Sequence, residues 1–556
     1  MSRTNCAARS ASSRRVFCKT SPTTGTAKAG VFDPIRHVFL AGSSALRREA
    51  LPRITPNSGK VVKMKIGFDN EKYISMQSKK ILERIARFGD KLYLEFGGKL
   101  FDDYHASRVV PGFLPDTKIN MLSELRDSAE IILAIHAGDI EHNKIRSDID
   151  IAYDREVLRL IDAFRGRGLT VSGVVITRYR EGQPAVDSFA DRLRRLGVRV
   201  YRHYPIEDYP KNPKFIVSDE GFGRNEFIET TRPLVVVTAP GPGSGKLAVC
   251  LSQVYQEFRR GVRAGYAKFE TFPVWNLPLS HPVNLAYEAA TTDLDDMNMI
   301  DPFHLEAYGV STVNYNRDVE SFPVLNTMFT HIYGESPYKS PTDMGVNMIG
   351  NCITDDEVVC AAAKQEIIRR YYAAACAYKR GRIDKEQVYK AEFIMTRAGI
   401  TTQNRPVVAA ALARAEETGN AAMAIELPDG AMITGKTGEF VGPAAGALLN
   451  ALKALAGINR SIDLLSPVVL EPIRSLKINH FGSENPLLHS DEVLYALSIS
   501  AATNPTAALA LKQLPKLRGC EAHSSVMLSA ADRSVYRKLG LNCTSEPNRN
   551  GNRLYM

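Results

Sequence analysis

From residue 64 to residue 232 the chain alternates short apolar runs with amphipathic stretches of helical spacing, and this alternation limits the fold more than any other feature. Residues 73–88 carry Ile74, Ile81, Leu82 and Ile85 at the spacing of one helix face. Residues 91–96 and 131–135 read as short buried strands; 154–166 is helical, 171–176 a strand, 188–196 a helix and 198–201 a strand. Leu234-Val-Val-Val-Thr238 is the plainest buried strand of the chain. Strands separated by helices pair in parallel, with helices on both faces of the sheet. The predicted class is α/β, with a Rossmann-like or P-loop-like parallel sheet in the N-terminal part.

At 556 residues the chain exceeds what one hydrophobic core serves, so roughly two to four domains are expected. No run reaches the roughly 18 uninterrupted apolar residues that a membrane helix requires. The nearest, 444–457, is short and carries Asn450 and Lys453. No membrane partner is expected.

The formal charge of +10 suggests nucleic acid until it is located. Residues 1–63 hold twelve Lys/Arg against Asp33 and Glu49, which accounts for all of it. From Met64 onward 59 basic residues meet 59 acidic ones. A phosphate-backbone binder needs a clustered basic surface, so no nucleic-acid partner is expected of the folded body. The extension is rich in Ser, Thr, Ala and Arg, a composition compatible with an organelle transit segment, a disordered basic extension, or sequence upstream of a start at Met64. Eight cysteines, two of them (Cys6, Cys18) in the extension and none in a C-x-x-C pair, argue for free thiols in a reducing, cytoplasmic setting.

Residues 272–351 are rich in Pro, Asn, Tyr and Asp and read as a loop-rich stretch. Thr354 looks like an N-cap, with Asp355, Asp356 and Glu357 in the first turn. Helical runs to residue 378 and over 384–398 follow, then a hairpin-like segment from 421 and a helix over 444–455. The expected parts are the extension 1–63, an α/β domain 64–335, a helical subdomain 336–420 and a C-terminal α/β domain 421–556.

After Leu234–Thr238 comes Ala-Pro-Gly-Pro-Gly-Ser-Gly-Lys, then helical spacing over 247–258. Strand, glycine-rich turn, lysine and helix is the order that cradles phosphates. Glycines let backbone N–H groups turn inward, the helix N-terminus is partially positive, and the lysine reaches phosphate oxygens. The candidate contacts are Gly241, Gly243, Ser244, Gly245 and Lys246. Two departures from G-x-x-x-x-G-K-[ST] stand out: Pro240 replaces the first Gly, and Leu247 replaces the hydroxyl that would hold magnesium. A tight turn whose glycines merely permit the bend would read the same way. A second segment, 430–437, satisfies the expression in full, but Leu427-Pro-Asp-Gly430 is a turn signal and 431–434 reads as a returning hairpin strand.

Residues 291–306 gather Asp293, Asp295, Asp296, Asp301, His304 and Glu306. Oxygen ligands suit magnesium, so Asp295, Asp296 and Glu306 are candidates for the contact that Leu247 cannot make; an acidic helix cap is the alternative. Lys268, on the strand-like run 265–270, is a candidate catalytic residue beside Lys246. The order is similar to that of the dethiobiotin-synthetase type of P-loop ligase, in topology alone. Lys339, in the Pro-stiffened segment 336–345, is a candidate ligand contact from a lid. His304-Leu-Glu306 matches half of the zinc deaminase signature without its P-C-x-x-C, so no zinc site is expected. Cys520 and His523 read as one helical turn lacking a third catalytic group, and His281 as a hydrogen-bonded loop residue.

Four segments together resemble a bacterial family catalogued only as a domain of unknown function. They are Glu95-Phe-Gly-Gly-Lys-Leu-Phe-Asp-Asp-Tyr-His-Ala-Ser, His281-Pro-Val-Asn-Leu-Ala-Tyr-Glu-Ala-Ala, Ile300-Asp-Pro-Phe-His-Leu-Glu-Ala-Tyr-Gly and Ser336-Pro-Tyr-Lys-Ser-Pro-Thr-Asp-Met-Gly. The resemblance runs from residue 64 to near the C-terminus. It implies an α/β N-terminal part, a helical middle and a three-layer α/β C-terminal part, and it implies no activity. The functional expectation is a nucleotide- or phosphometabolite-binding enzyme (ligase, kinase or hydrolase) using ATP or another phosphate ligand with Mg. The alternative is a non-catalytic binding protein, and in either case a homo-oligomer.

Overall fold

Seven parallel strands organise the N-terminal part: β1 (Leu92–Phe96), β2 (Ala129–His136), β3 (Thr170–Thr177), β4 (Val200–Arg202), β5 (Leu234–Thr238), β6 (Gly265–Phe269) and β7 (Gly345–Val346). The structure is a computed structural model that describes residues 65–89, 91–146 and 151–548; the extension 1–63 lies outside the described residues. Across the sheet the order is β7-β6-β1-β5-β2-β3-β4, and every neighbouring pair is parallel. All five side chains of β5 are buried, as befits a central strand covered on both faces. Each fully buried apolar side chain there contributes roughly 1.5–3 kcal/mol.

The helices follow from caps and spacing. Asp69 accepts from Lys72 N–H to start Asn70–Arg87, whose buried Tyr73, Gln77, Ile81 and Ile85 recur every four residues against the sheet. Helix Lys246–Arg259 follows β5 directly and buries Val249, Cys250, Gln253, Val254 and Glu257. The apolar core around this sheet runs from Phe68 to Val408 and includes Ile367 and Ile368 of the long helix Asp356–Lys379.

The C-terminal part has a four-stranded sheet of β8 (Ala422–Glu426), β9 (Met432–Lys436), β10 (Glu521–Ser524) and β11 (Asn542–Ser545), in the order β9-β8-β10-β11. Alternate residues of β8 serve opposite faces. Met423 and Ile425 pack with helix Pro443–Leu455, while Ala424 packs with Val407 and Ala411 of helix Pro406–Thr418. This is a three-layer arrangement, and the second glycine–lysine segment ends in its hairpin strand β9.

A buried ionic network ties the two parts together. Glu366 accepts from Arg108 Nε (2.8 Å), Arg369 Nε (2.8 Å) and Arg370 Nε (3.0 Å). Arg369 reaches on to Glu521 at 2.9 Å, and the fully buried Arg405 pairs with the same carboxylate at 2.5 Å.

Three sequence expectations are corrected. The cap of Asp356–Lys379 is Asp355, which accepts from Val358 N–H, and Thr354 precedes it. The stretch 272–351 contains helices Pro282–Ala290 and Asn316–Tyr333, the latter with Pro323 inside it. Cys520 and His523 do not share a helical turn, because residues Glu521–Ser524 form β10.

Candidate functional site

The strand order creates a crevice. The connection after β1 skips over β5 to reach β2, and the connection after β5 skips over β1 to reach β6. Two adjacent strands whose crossovers leave in opposite directions open a cleft at their C-terminal ends, where α/β sheets hold ligands. Here those ends are Glu95-Phe96-Gly97-Gly98 and Thr238 with the glycine loop. Three non-glycine residues in the loops at this edge, Asp102, Arg178 and Asp208, adopt positive φ of 57°, 52° and 57°, backbone strain of the kind that gathers at functional sites.

The glycine loop bends through Gly243 (φ 75°) and Gly245 (φ 81°), left-handed positions that a side chain would strain. Gly245 is the N-cap of Lys246–Arg259 and supplies no side-chain cap. Ser244 Oγ donates to Gly241 O at 2.9 Å and Thr177 Oγ1, from the end of β3, donates to Ser244 O at 2.9 Å, so both hydroxyls hold the loop's shape. Among the described residues, none accepts a hydrogen bond from the N–H of Gly245, Lys246 or Leu247. These are three of the first-turn donors that every helix leaves unpaired. Lys246 has no ion-pair partner among the described residues, whereas Leu247 is partly buried against the apolar core.

Beneath this helix the sheet presents polar groups. Tyr93 and Glu95 share one face of β1, and their register partners on β6 are Tyr266 and Lys268. Helix Lys246–Arg259 lies over this face, since Tyr93 O–H donates to Glu257 Oε1 at 2.9 Å. Two residues along the strand toward the loop, Glu95 lies on the same face, level with Val237 of β5, and Tyr266 O–H donates to its Oε2 at 2.8 Å. Burial holds the Cys250 thiol well above its ordinary value; the Glu95 carboxylate adds to this and Lys246 opposes it, so all three share one neighbourhood.

Lys268 sits in a buried knot with Glu270 (3.0 Å), Asp318 and the Tyr315 hydroxyl, its ammonium 4.4 Å from the Tyr315 ring centre. Burial pulls the Lys268 ammonium down, yet Asp318, Tyr315, Glu270 and Glu95 outweigh it and hold it well above its ordinary value. Burial pushes the Glu270 carboxyl up to about 7, with Lys268 opposing and Asp318 adding. An enclosed carboxyl poised near neutrality beside an ammonium is suited to proton transfer.

The structure thus gathers Gly241, Gly243, Ser244, Gly245, Lys246 and Lys268 at one sheet edge, with Glu95, Tyr266, Glu270, Tyr315 and Asp318 as residues that the sequence reading did not single out for a role. Asp296 lies nearby, paired with Arg317 at 3.2 Å and within electrostatic reach of Lys268. Asp295 is exposed and bound to Lys390. Glu306 and Lys339 line an open hollow of about 600 Å³ with Phe303, Asn326 and Thr330, and no residue of the glycine loop lines it.

One further cluster joins His281 Nε2 to Asp356 Oδ1 (3.1 Å) and Cys360 Sγ (3.4 Å). His281 Nδ1 accepts from Val283 N–H, so the ring proton is on Nε2. A metal-binding histidine instead donates through its second nitrogen, and this one caps a helix.

The pattern described as "Domain of unknown function DUF1846, N-terminal" matches residues 66–399, and its C-terminal counterpart matches 403–555. The chain belongs to the DUF1846 family. It is 57% identical over 491 residues to UPF0371 protein str1377 of Streptococcus thermophilus, covering 88% of this chain and 99% of the relative. It is 57% identical over 482 residues to UPF0371 protein cu0538 of Corynebacterium urealyticum, covering 87% of this chain and 97% of that protein. A UPF0371 protein of Streptococcus pneumoniae (strain JJA) is 55% identical over 491 residues, covering 88% of this chain and 99% of the relative. No activity is stated in these names.

Proposed function

We propose that the crevice between β1 and β5 binds a phosphorylated small molecule and that the protein is a nucleotide- or phosphometabolite-dependent enzyme of the ligase, kinase or hydrolase type. One observation carries this reading: a helix start without a side-chain cap whose first N–H groups and Lys246 have no partner among the described residues, at the point where neighbouring crossovers diverge. Backbone N–H groups of the loop would hold phosphate oxygens, and Lys246 would neutralise charge as it develops. Lys268 and Glu270 would handle the acceptor and its proton from the neighbouring strand.

The six described cysteines are free, which fits a reducing, cytoplasmic setting. No helix of the described residues is long and apolar enough to cross a membrane. Homo-oligomerisation is favoured by large apolar side chains left bare in the C-terminal part, including Val468 (82% exposed), Phe481 (77%) and Ile499 (73%).

The test is a melting-shift screen of nucleotides and phosphorylated metabolites on the full chain and on Lys246→Ala. A true ligand at a hundredfold excess over its Kd stabilises by about 2.7 kcal/mol. The wild type should gain this and Lys246→Ala should lose most of it; equal shifts in both would place the ligand elsewhere and sink the reading.

A further inference from the structure

We infer that Glu95 is the carboxylate that holds a divalent cation, with Mg2+ as the natural hard-ion probe, against the phosphate bound by the glycine loop. This rests on the phosphate reading above and adds the metal and its ligand.

A loop of this kind ordinarily supplies a hydroxyl to the cation from the residue after the lysine. Here that residue is Leu247, and its side chain is turned to the core, so the cation must be held from elsewhere. Mg2+ keeps most of its waters and takes one or two carboxylates together with phosphate oxygens, so a single well-placed acid suffices.

Glu95 has the required placement. It is the penultimate residue of the strand beside β5, with Val237 as its register partner, and it shares a face with Tyr93, which touches the helix that the loop begins. Its Oε2 accepts from Tyr266 O–H, which orients the group, while Oε1 has no hydrogen-bond donor among the described residues. Lys268, its register partner, is within electrostatic reach but makes its ion pairs with Glu270 and Asp318, not with Glu95. The other acids are placed differently: Asp295 is bound to Lys390, Glu306 lies in the open hollow, and Asp296 pairs with Arg317. A polyphosphate on the loop would face the Glu95 carboxylate as a like charge unless a cation came between them.

The opposing signs make the test. Tripolyphosphate and ATP are titrated calorimetrically into the full chain, in EDTA and in Mg2+. Mg2+ should tighten wild-type binding by about tenfold or more. In Glu95→Gln that gain should fall below about twofold, while binding in EDTA holds or tightens because a negative charge has left the phosphate's side. Tyr266→Phe keeps the carboxylate and should keep most of the gain. If Glu95→Gln does not fold, Glu95→Asp, which withdraws the carboxylate by one methylene, must weaken the gain. An undiminished Mg2+ gain in the Glu95 variant, or equal losses with and without metal, overturns the inference. Failure of both probes to bind wild type in either condition overturns the phosphate reading first, and this inference with it.

Discussion

Tyr93 donates its hydroxyl hydrogen to Glu257 Oε1 at 2.9 Å, and Lys91 pairs with the same oxygen at 2.5 Å. This clasp anchors the far end of helix Lys246–Arg259 on β1 and so fixes how the helix lies over the face that carries Glu95. Tyr93→Phe removes a hydrogen bond to a charged acceptor and should cost about 2 kcal/mol in urea unfolding. It should also weaken phosphate-dependent stabilisation, although the contact at Glu257 lies about three helical turns from Lys246. An unfolding midpoint equal to wild type would show that the clasp does not hold the helix.

Gly245→Ala puts a Cβ at φ 81°, with Thr177 side-chain atoms at 3.3 Å from it. The left-handed conformation costs an L-residue about 1–2 kcal/mol, so the melting temperature should fall. The loop should open to relieve the strain, and ligand-dependent stabilisation should vanish more completely than stability itself. A variant that still responds to the ligands of the wild type would mean that the left-handed turn is dispensable.

Glu270 binds its proton more tightly in the folded chain, at about 7, than at its ordinary 4.5. Its contribution to stability is therefore complete below the unfolded value and is lost as pH rises through 7. In infrared spectra the band of the protonated carboxyl should persist at pH 5, fade across pH of about 7, and be missing from Glu270→Gln. The stability of Glu270→Gln relative to wild type should rise from pH 5 to pH 8. A band already gone at pH 5 would contradict this.

Glu366 behaves in the opposite sense. Burial would raise it, but Arg369, Arg370, His105 and Arg108 hold its carboxyl well below the ordinary range. Its contribution is present above the unfolded value and is lost as pH falls through the folded one. Glu366→Gln leaves several guanidinium groups facing each other at the junction of the two parts and should cost about 3–5 kcal/mol. Urea unfolding at neutral pH measures this, and a loss under 1 kcal/mol would mean that the arginines find other partners.

Much of this architecture can be read from sequence because strands buried on both faces announce themselves as uninterrupted apolar runs, as in Leu234–Thr238. Strand order is another matter. The insertion of β5 between β1 and β2, which makes the crevice, is fixed by packing between distant segments and leaves no local mark. The glycine loop and Lys268 were legible as unusual residues in otherwise apolar settings. Glu95 carried the same signal, a carboxylate near the end of Leu-Tyr-Leu-Glu-Phe before two glycines, but its orientation depends on a tyrosine 171 positions away. Asp318 is 50 positions from Lys268, on a helix whose internal Pro323 disguised it as loop. The acids of 291–306 looked like one set in sequence; folding sends Asp295, Asp296 and Glu306 to three different surroundings.

The seven-stranded sheet ends in the two-residue β7 on one side and the three-residue β4 on the other. Edge strands this short offer an incoming strand from another molecule little ladder of their own to extend. In a crowded solution the large sheet is therefore met through the helices and loops around it, and the longer open margin of the molecule is the five-residue β9 of the four-stranded sheet.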